Sequence, residues 1–333
     1  MIKLNNKYVI GTHVMFFEIE MYKDFIDGLV NLLQDVSNKN NVTIDLCFNL
    51  TENVEKIDFE KTSRDELLNK FHNGVDVIRN MGYTVKAKIV EDEFYFHTDY
   101  RRDLNYNYCK KVDYVMWGET DSFFPKEAFQ VIETLSEYTN EQNIHRYLLS
   151  FADRKMWDSS WDPLVHVDYK DVVFEDEEDS YLNPNQAKSP MSIKKMNEIN
   201  AKSKEFNFTY ITKPKISGAC LVLSSDLIKC GVNVPPCLLY NDDEGLSIMA
   251  EKVMSQGFIQ FICDNILHVH ARRHPNKRLY VKSEDNPHSF ISEKNEKFQK
   301  LLELSRQNIQ SLITGKNKFF EYKDLKNILE TMK

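Results

Sequence analysis

The chain of 333 residues is long enough for one large domain or two ordinary ones, and 42% apolar with 12% aromatic residues exclude a disordered polypeptide. A net charge of −8 excludes a general attraction to nucleic acid or to an anionic membrane, although residues 272–278 form a local basic patch. Six cysteines with no CxxC pair indicate free thiols in a reducing compartment. The first residues lack a signal-peptide core, and no apolar run reaches the roughly 20 residues that span a bilayer. We therefore expect a cytoplasmic protein with no transmembrane segment.

The first 125 residues alternate between two patterns. Short apolar, β-branched runs predict strands over 7–14, 42–48, 84–90 and 112–117. Apolar residues at helical spacing predict helices over 19–35 and about 68–78. The tyrosine-rich stretch 94–108 follows neither pattern and is expected to be irregular. This order of elements predicts an α/β fold, with a mostly parallel, Rossmann-like central sheet flanked by helices.

The second half of the chain is less regular. A helix over 125–138 and a strand over 145–151 precede residues 152–210, which we interpret as a long insertion. Trp157 and Trp161 in this insertion could stack on a sugar or base, or simply anchor the insertion. Further apolar patterns predict strands over 216–223 and 258–263, a helix over 242–257, and C-terminal helices over 298–313 and 325–332. The C-terminal helices are expected to form a packing or oligomerisation extension over 281–333.

Polar residues stand at the predicted carboxyl ends of three strands. They are Thr12, Asn49 and the pair Glu119 and Asp121. In parallel sheets of this kind, ligands bind in the crevice outside those strand ends. Paired carboxylates suit Mg²⁺ or Mn²⁺ bound to phosphate oxygens, so a nucleotide with a metal on its phosphates would fit. The sequence has neither GxGxxG nor GxxxxGK, so neither a dinucleotide cofactor nor a P-loop is indicated.

Two later groups of residues add to this pattern. Asp242, Asp243 and Glu244 open a predicted helix, where the helix dipole favours acids, and one of them could act as a general base. His268 and His270 lie two residues apart on an extended segment, so both imidazoles share one face and could complete a metal site.

From about 7 to 274, the order of these features resembles that of the GT-A glycosyltransferases, in particular the family-2-like inverting enzymes. Glu119-Thr120-Asp121 is similar to the Asp-x-Asp that holds a metal against the diphosphate of a nucleotide sugar in that family, with Glu in the first place. Asp242-Asp243 before a Leu-containing helix is similar to the family's catalytic Glu-Asp, which implies that Asp243 is the base. The late metal-binding histidine of the family would be His270 or His268, with His270 preferred.

The resemblance also implies donor-binding positions. Thr12 and Asn49 would hold the nucleoside, with Asn49 departing from the usual Asp. The Arg-Asn pair that often stands about eighteen residues before the metal acids is echoed by Arg102 and Asn105, so Arg102 would contact a phosphate. Trp157, Trp161 and Gly218 would lie on the acceptor side.

These implications describe a metal-dependent glycosyltransferase. It would use Mn²⁺ or Mg²⁺ to move a sugar from a nucleotide-sugar donor to an acceptor hydroxyl, with inversion. A GT-A domain would span 1–280, with a nucleotide-sugar half over about 1–125 and an acceptor half over about 126–280 that carries the insertion. The acceptor could be a glycan, a lipid-linked sugar, a protein or a modified DNA base, and the net charge disfavours nucleic acid. A homo-oligomer is possible.

Two other classes of protein stay open from the sequence. A nucleotidyltransferase also needs paired carboxylates and a metal, but it releases pyrophosphate. A protein that binds nucleotides or carbohydrates on the same fold without catalysis would bind donor and turn over none.

Overall fold

The computed structural model describes residues 1–50, 57–91, 95–156, 158–172, 191–255, 257–270, 279–280 and 296–315. Three sequence predictions fall outside the described residues. They concern Trp157, the basic patch at 272–278 and the last helix at 325–332.

The described residues form an eight-stranded sheet, a two-stranded sheet and flanking helices. The strands are β1 Tyr8–Met15, β2 Val42–Asn49, β3 Thr84–Val90, β4 Tyr114–Gly118, β5 Ser122–Phe123, β6 Tyr147–Ala152, β7 Phe208–Ile211, β8 Leu221–Ser224, β9 Ile259–Leu267 and β10 Val269–His270. The α-helices are α1 Ile19–Leu33, α2 Arg64–Asn80, α3 His97–Tyr108, α4 Ala128–Glu141, α5 Ile193–Asn200, α6 Ser225–Lys229, α7 Asp242–Val253 and α8 Glu296–Thr314.

The large sheet is mostly parallel. Its strand order is β3-β2-β1-β4-β8-β6-β9-β7, and only β8 and β7 run against the other described strands. All eight residues of β1 are buried, as expected for a central parallel strand with helices on both faces. One hydrophobic core, which includes Tyr22 and Phe25 of α1, fills one face, and a second core, which includes Tyr100 and Leu104 of α3, fills the other. The predicted Rossmann-like arrangement is therefore observed.

The stretch 94–108 was wrongly expected to be irregular. Residues His97–Tyr108 form helix α3, which packs on β1 and β4. The buried face of α3 mixes Tyr100 and Leu104 with polar side chains such as Arg101 and Asn105. Part of that face lines the polar crevice, so it carries no continuous apolar stripe. The helical spacing of apolar residues, from which helices are predicted, is therefore absent here.

Other boundaries shift for local reasons. The strand predicted over 216–223 is shortened to Leu221–Ser224, because the preceding residues form a buried loop beside the crevice. The strand predicted over 258–263 continues to Leu267. Within 152–210, strand β7 pairs antiparallel with β9, so this region contributes the outermost strand of the main sheet.

The C-terminal helix α8 packs against the segment that leads into α7. Ile309 contacts Leu238 and Ile248, and the Ser305 hydroxyl accepts the backbone N–H of Leu239 at 3.3 Å. Asn308 donates to the Cys237 carbonyl at 2.7 Å. Helix α8, the described part of the predicted extension, therefore supports the loop that presents Asp242 and Asp243.

Candidate functional site

The crevice is built around the loop that follows β4. Strand β4 ends at Gly118, and the acids Glu119 and Asp121 come next. The short strand Ser122–Phe123 then pairs antiparallel with Val269–His270, in a register that places His270 opposite Ser122. The two-stranded sheet therefore carries His270 to the acids, although they are far apart in sequence.

Two side chains of this loop, together with His270, fit a divalent cation. His270 Nε2 lies 3.3 Å from Glu119 Oε2 and 3.6 Å from Asp121 Oδ1. One ligand atom from each lies within 4.8 Å of the other two. Two carboxylates and one imidazole form a donor set that suits Mn²⁺, and they also accommodate Mg²⁺. Burial alone would raise the pKa of Glu119, but Arg101 and His270 hold that pKa well below its usual range.

Arg101 connects this loop to helix α7. Its Nη2 lies 2.6 Å from Glu119 Oε1, and its Nη1 lies 2.5 Å from Asp242 Oδ2. Nη2 also donates to the Gly218 carbonyl at 2.8 Å, and the guanidinium lies over the ring of Trp117 at 4.6 Å. The Arg101 side chain is only 3% exposed, so its charge is compensated by these carboxylates.

The first turn of helix α7 holds two acids in different electrostatic states. Asn241 precedes them in the left-handed backbone region, with φ of 63°. Burial would raise the pKa of Asp242, but Arg101 and His97 lower it below the ordinary value. For Asp243, burial and then the Asp242 charge raise the pKa to about 7. Two neighbouring carboxyl groups with pKa values driven apart are typical of acid–base sites.

Polar side chains also lie in the second half of β1 and at the end of β2. Strand β1 continues to Met15, so Thr12 lies inside the strand and not at the strand end that the sequence predicted, whereas Asn49 is the last residue of β2. Asn49 donates to the Tyr95 carbonyl at 2.8 Å and lies 3.4 Å from His13 Nε2. Among the described residues, Thr12 Oγ1, His13 Nδ1 and His97 Nε2 are buried without a hydrogen-bond partner. Burial, with the nearby Arg101 charge, lowers the pKa of His97 to about 4, so its ring is neutral near pH 7. Neutral rings and a hydroxyl offer hydrogen bonds to an uncharged polar ligand.

Arg102 and Gly218 contact different parts of this site. Arg102 pairs with Asp99 on its own helix and lies 3.5 Å from the Pro235 carbonyl, whereas Arg101 lies between the acids. A Cβ on Gly218 would lie 2.3 Å from Arg101 Nη1 and 2.6 Å from Glu119 Oε1, so Gly218 leaves space for that ion pair. The predicted donor role of Arg102 and acceptor role of Gly218 stay predictions.

Trp161 packs beside a small apolar cluster. Its neighbours there include Met156, Leu164 and Ile262, and Lys215 Nζ lies 5.0 Å from its ring centre. This packing agrees with the alternative that Trp161 anchors its segment, and its acceptor role stays a prediction.

His268 lies in a second group of possible metal ligands, with Asp153 and His270. Sequence reasoning missed Asp153, which follows strand β6, and it also missed Arg101 and His97. Arg101 could have been found, because it lies 18 residues before Glu119, at the spacing that the family resemblance suggested. No sequence signal marked Asp153.

The comparisons with known proteins show similarity in fold and not in sequence. No protein-family model matches the chain, and no curated protein matches it. The structure of GalNAc-T7 with UDP, GalNAc and Mn²⁺ is similar at a TM-score of 0.50 and 11% identity, over 98% of this chain and 53% of that one. S. aureus TarS, residues 1–349, in complex with UDP is similar at a TM-score of 0.43 and 11% identity, over 79% of this chain and 59% of that one.

The likeness to GalNAc-T7 shows that this chain has the fold of the GT-A glycosyltransferases. The fold class predicted from the sequence is thereby confirmed. The chain spans little more than half the length of the two structures that it matches. In the part of the chain that the structure describes, no helix is both long enough and apolar enough to cross a bilayer.

Proposed function

We propose that this protein is a metal-dependent, inverting glycosyltransferase that moves a sugar from a nucleotide-sugar donor to an acceptor hydroxyl. The main observation behind this proposal is that Asp243 has a pKa near 7 and directly follows Asp242, which is connected to the candidate metal ligand Glu119. Arg101 links Asp242, its neighbour, to Glu119 through one guanidinium. The GT-A fold, and the presence of UDP, GalNAc and Mn²⁺ in the structure of GalNAc-T7, also support this proposal.

In this proposal, Glu119, Asp121 and His270 hold the metal. When bound, Mn²⁺ or Mg²⁺ would supply positive charge to the diphosphate of the donor. Glu119 and Asp121 follow the carboxyl end of β4, where parallel sheets of this kind bind their ligands. Thr12, His13 and Asn49 lie towards the same end and would bind the nucleoside through neutral hydrogen-bonding groups.

Asp243 acts as the general base. Its carboxylate accepts the proton of the acceptor hydroxyl while the hydroxyl oxygen attacks the anomeric carbon. The bond from that carbon to the diphosphate oxygen breaks on the opposite side, which inverts the configuration. A carboxyl group with a pKa near 7 is suited to this step, because a useful fraction is ionised near neutral pH and the ionised form is a stronger base than an ordinary Asp. Asp242 stays ionised beside Arg101 and holds the pKa of Asp243 high.

The donor and the metal are tested by a thermal-shift screen of nucleotide sugars with and without Mn²⁺. We expect a shift that needs both the metal and one nucleotide, followed by release of a nucleoside diphosphate. Asp121→Ala should abolish metal-dependent turnover, and Asp243→Asn should keep donor binding but lose transfer. Asp226→Asn, at an exposed acid in the first turn of helix α6, is the matched control and should leave turnover unchanged. Transfer by Asp243→Asn at the wild-type rate would show that Asp243 is not the base.

Further parts of the proposal concern the surroundings of the protein. All six cysteines are unpaired in the structure, which supports a cytoplasmic, reducing location. The acceptor would be a glycan, a lipid-linked sugar or another hydroxyl compound, and a homo-oligomer stays a prediction. Release of pyrophosphate in place of a nucleoside diphosphate would identify a nucleotidyltransferase.

A further inference from the structure

A second pair of possible metal ligands lies beside the acid loop. Asp153 follows strand β6 directly, and His268 lies between β9 and β10. The backbone N–H of His268 donates to the Ala152 carbonyl at 2.9 Å, which fixes His268 next to the end of β6. Asp153 is 7% exposed and His268 is 4% exposed, so both side chains are withdrawn from solvent.

The hydrogen bond of the His268 ring determines its tautomer. Nδ1 lies 3.1 Å from the Ala152 carbonyl oxygen, which can only accept a hydrogen bond. Nδ1 therefore carries the proton, and in the neutral ring Nε2 presents its lone pair. A histidine held in this way by a backbone carbonyl is the usual arrangement of a metal ligand, because the bond fixes both the tautomer and the ring direction.

The lone pair of His268 faces a carboxylate. Nε2 lies 3.9 Å from Asp153 Oδ2, which is too long for a hydrogen bond between them. Two ligands that are each about 2.1 Å from one metal ion lie roughly 3.0–3.5 Å apart at octahedral or tetrahedral angles. A movement of a few tenths of an ångström would therefore bring both atoms to an ion between them. The corresponding distances around Glu119, Asp121 and His270 are 3.3 and 3.6 Å, so the two groups are similar in size.

We propose that Asp153 and His268 hold a second divalent cation, next to the ion proposed at Glu119 and Asp121. His270 belongs to both groups of possible ligands, so the two positions are adjacent. The second position has one imidazole for each carboxylate, and it therefore favours Mn²⁺ or Zn²⁺ over Mg²⁺. Water or phosphate oxygens would complete the coordination of each ion, and the second ion would supply further positive charge to a bound diphosphate.

The number of ions bound by the full chain tests this proposal. The experiment is a titration with Mn²⁺ alone, followed by electron paramagnetic resonance of free Mn²⁺, because bound ions lose the sharp free-ion signal. We expect two Mn²⁺ per wild-type chain, one in Asp153→Asn and in His268→Gln, and one in Asp121→Asn. The double variant Asp121→Asn/Asp153→Asn should bind none. His166→Gln is the matched control, since His166 is a buried histidine on the segment that follows Asp153, and it should keep two.

A wild-type count of one Mn²⁺ would overturn the proposal, whatever the variants do. A count of two that persists in both Asp153→Asn and His268→Gln would overturn it as well. If both variants fail to fold, the wild-type count and that of Asp121→Asn decide. The count does not depend on glycosyl transfer. If the chain binds two ions but transfers no sugar, the second ion site stands and the proposed function is wrong. If the chain transfers sugar but binds one ion, the proposed function stands and the second ion site is wrong.

Discussion

The buried Arg101 and the partly buried Glu119 form an ion pair with 2.6 Å between Nη2 and Oε1, while the same guanidinium holds Asp242 through Nη1 at 2.5 Å. The strand-end loop that carries the candidate metal ligands and the helix that carries the candidate base are therefore joined by one side chain. Because a guanidinium presents its donors in a rigid planar fork, it can serve both carboxylates at fixed geometry. A flexible ammonium has no such fork.

Substitution of Arg101 should therefore affect both stability and transfer. Arg101→Ala removes the shared partner of two partly buried carboxylates, Glu119 and Asp242. Breaking a fully buried pair costs about 3–5 kcal/mol in the free energy of unfolding, so we expect a loss at the lower end of that range. Arg101→Lys keeps the charge but cannot reach both acids in the same geometry, so we expect transfer to fall at least about tenfold while the chain stays folded. Urea unfolding and initial rates measure the two effects.

Arg102→Lys provides the matched comparison. Arg102 is the next residue on the same helix, and its guanidinium pairs with Asp99 at a distance from the acids of the crevice. We expect Arg102→Lys to change the rate much less than Arg101→Lys. Equal losses in the two variants would contradict the assignment of the bridging role to Arg101, and would favour the phosphate contact that the sequence predicted for Arg102.

The rate of transfer should depend on pH through Asp243. Burial and the Asp242 charge raise the pKa of Asp243 to about 7, and only the ionised form can accept a proton. The rate should therefore rise as pH increases through about 7 and reach a plateau above it. Asp242 should cause no further change of rate with pH near neutrality, because its pKa is lowered below the ordinary value of an aspartate. The measurement is kcat/KM against pH at saturating Mn²⁺, and a flat profile between pH 6 and about 8 would argue against Asp243 as the base.

The fold was predictable because β1, β2 and β4 are apolar runs separated by amphipathic helices, and parallel sheets follow from that order. Glu119 and Asp121 were placed correctly at the end of β4, because their position follows directly from the boundary of that strand. Helix α3 was missed because its inward face contains polar residues such as Arg101 and Asn105. Patterns of apolar residues identify elements that face a core, and they fail where an element faces a polar crevice.

The assembly of the crevice could not be predicted in the same way. Asp153 meets His268 only because β6 and β9 pair in parallel with a register shift at their ends. Asp242 meets Arg101 across 141 positions of sequence, and the spacing of residues carries no information about that contact. The pKa of Asp243 depends on burial and on a neighbour that Arg101 keeps charged. These properties come from tertiary packing.

The small size of Gly218 should be needed for the site. A Cβ at this position would lie 2.3 Å from Arg101 Nη1 and 2.6 Å from Glu119 Oε1, closer than real Cβ contacts allow. Gly218→Ala should therefore displace the guanidinium or the carboxylate and reduce transfer about tenfold or more. Ala219→Gly, at the next buried position, is a control for the effect of backbone flexibility. Wild-type affinity for Mn²⁺ and wild-type turnover in Gly218→Ala would show that the loop accommodates a methyl group.

Asp243→Asn should stabilise the protein while it removes transfer. The folded-state pKa of Asp243 is raised above its ordinary value of 3.8, so the folded chain binds this proton more tightly than the unfolded chain does. The stability associated with the protonated group is present below pH 4 and is lost as pH rises through about 7. Asn stays neutral, so the variant avoids this loss and should gain on the order of 2–4 kcal/mol over wild type at pH 8 and little at pH 4.

Chemical denaturation at both pH values measures this difference. Asp226→Asn, at an exposed acid of helix α6, should show no comparable dependence on pH. A carboxyl group that serves catalysis at the expense of stability is expected where a base is held in a partly buried site. If Asp243→Asn is less stable than wild type at pH 8, the charge of Asp243 stabilises the fold, and its pKa then lies below the ordinary value of an aspartate.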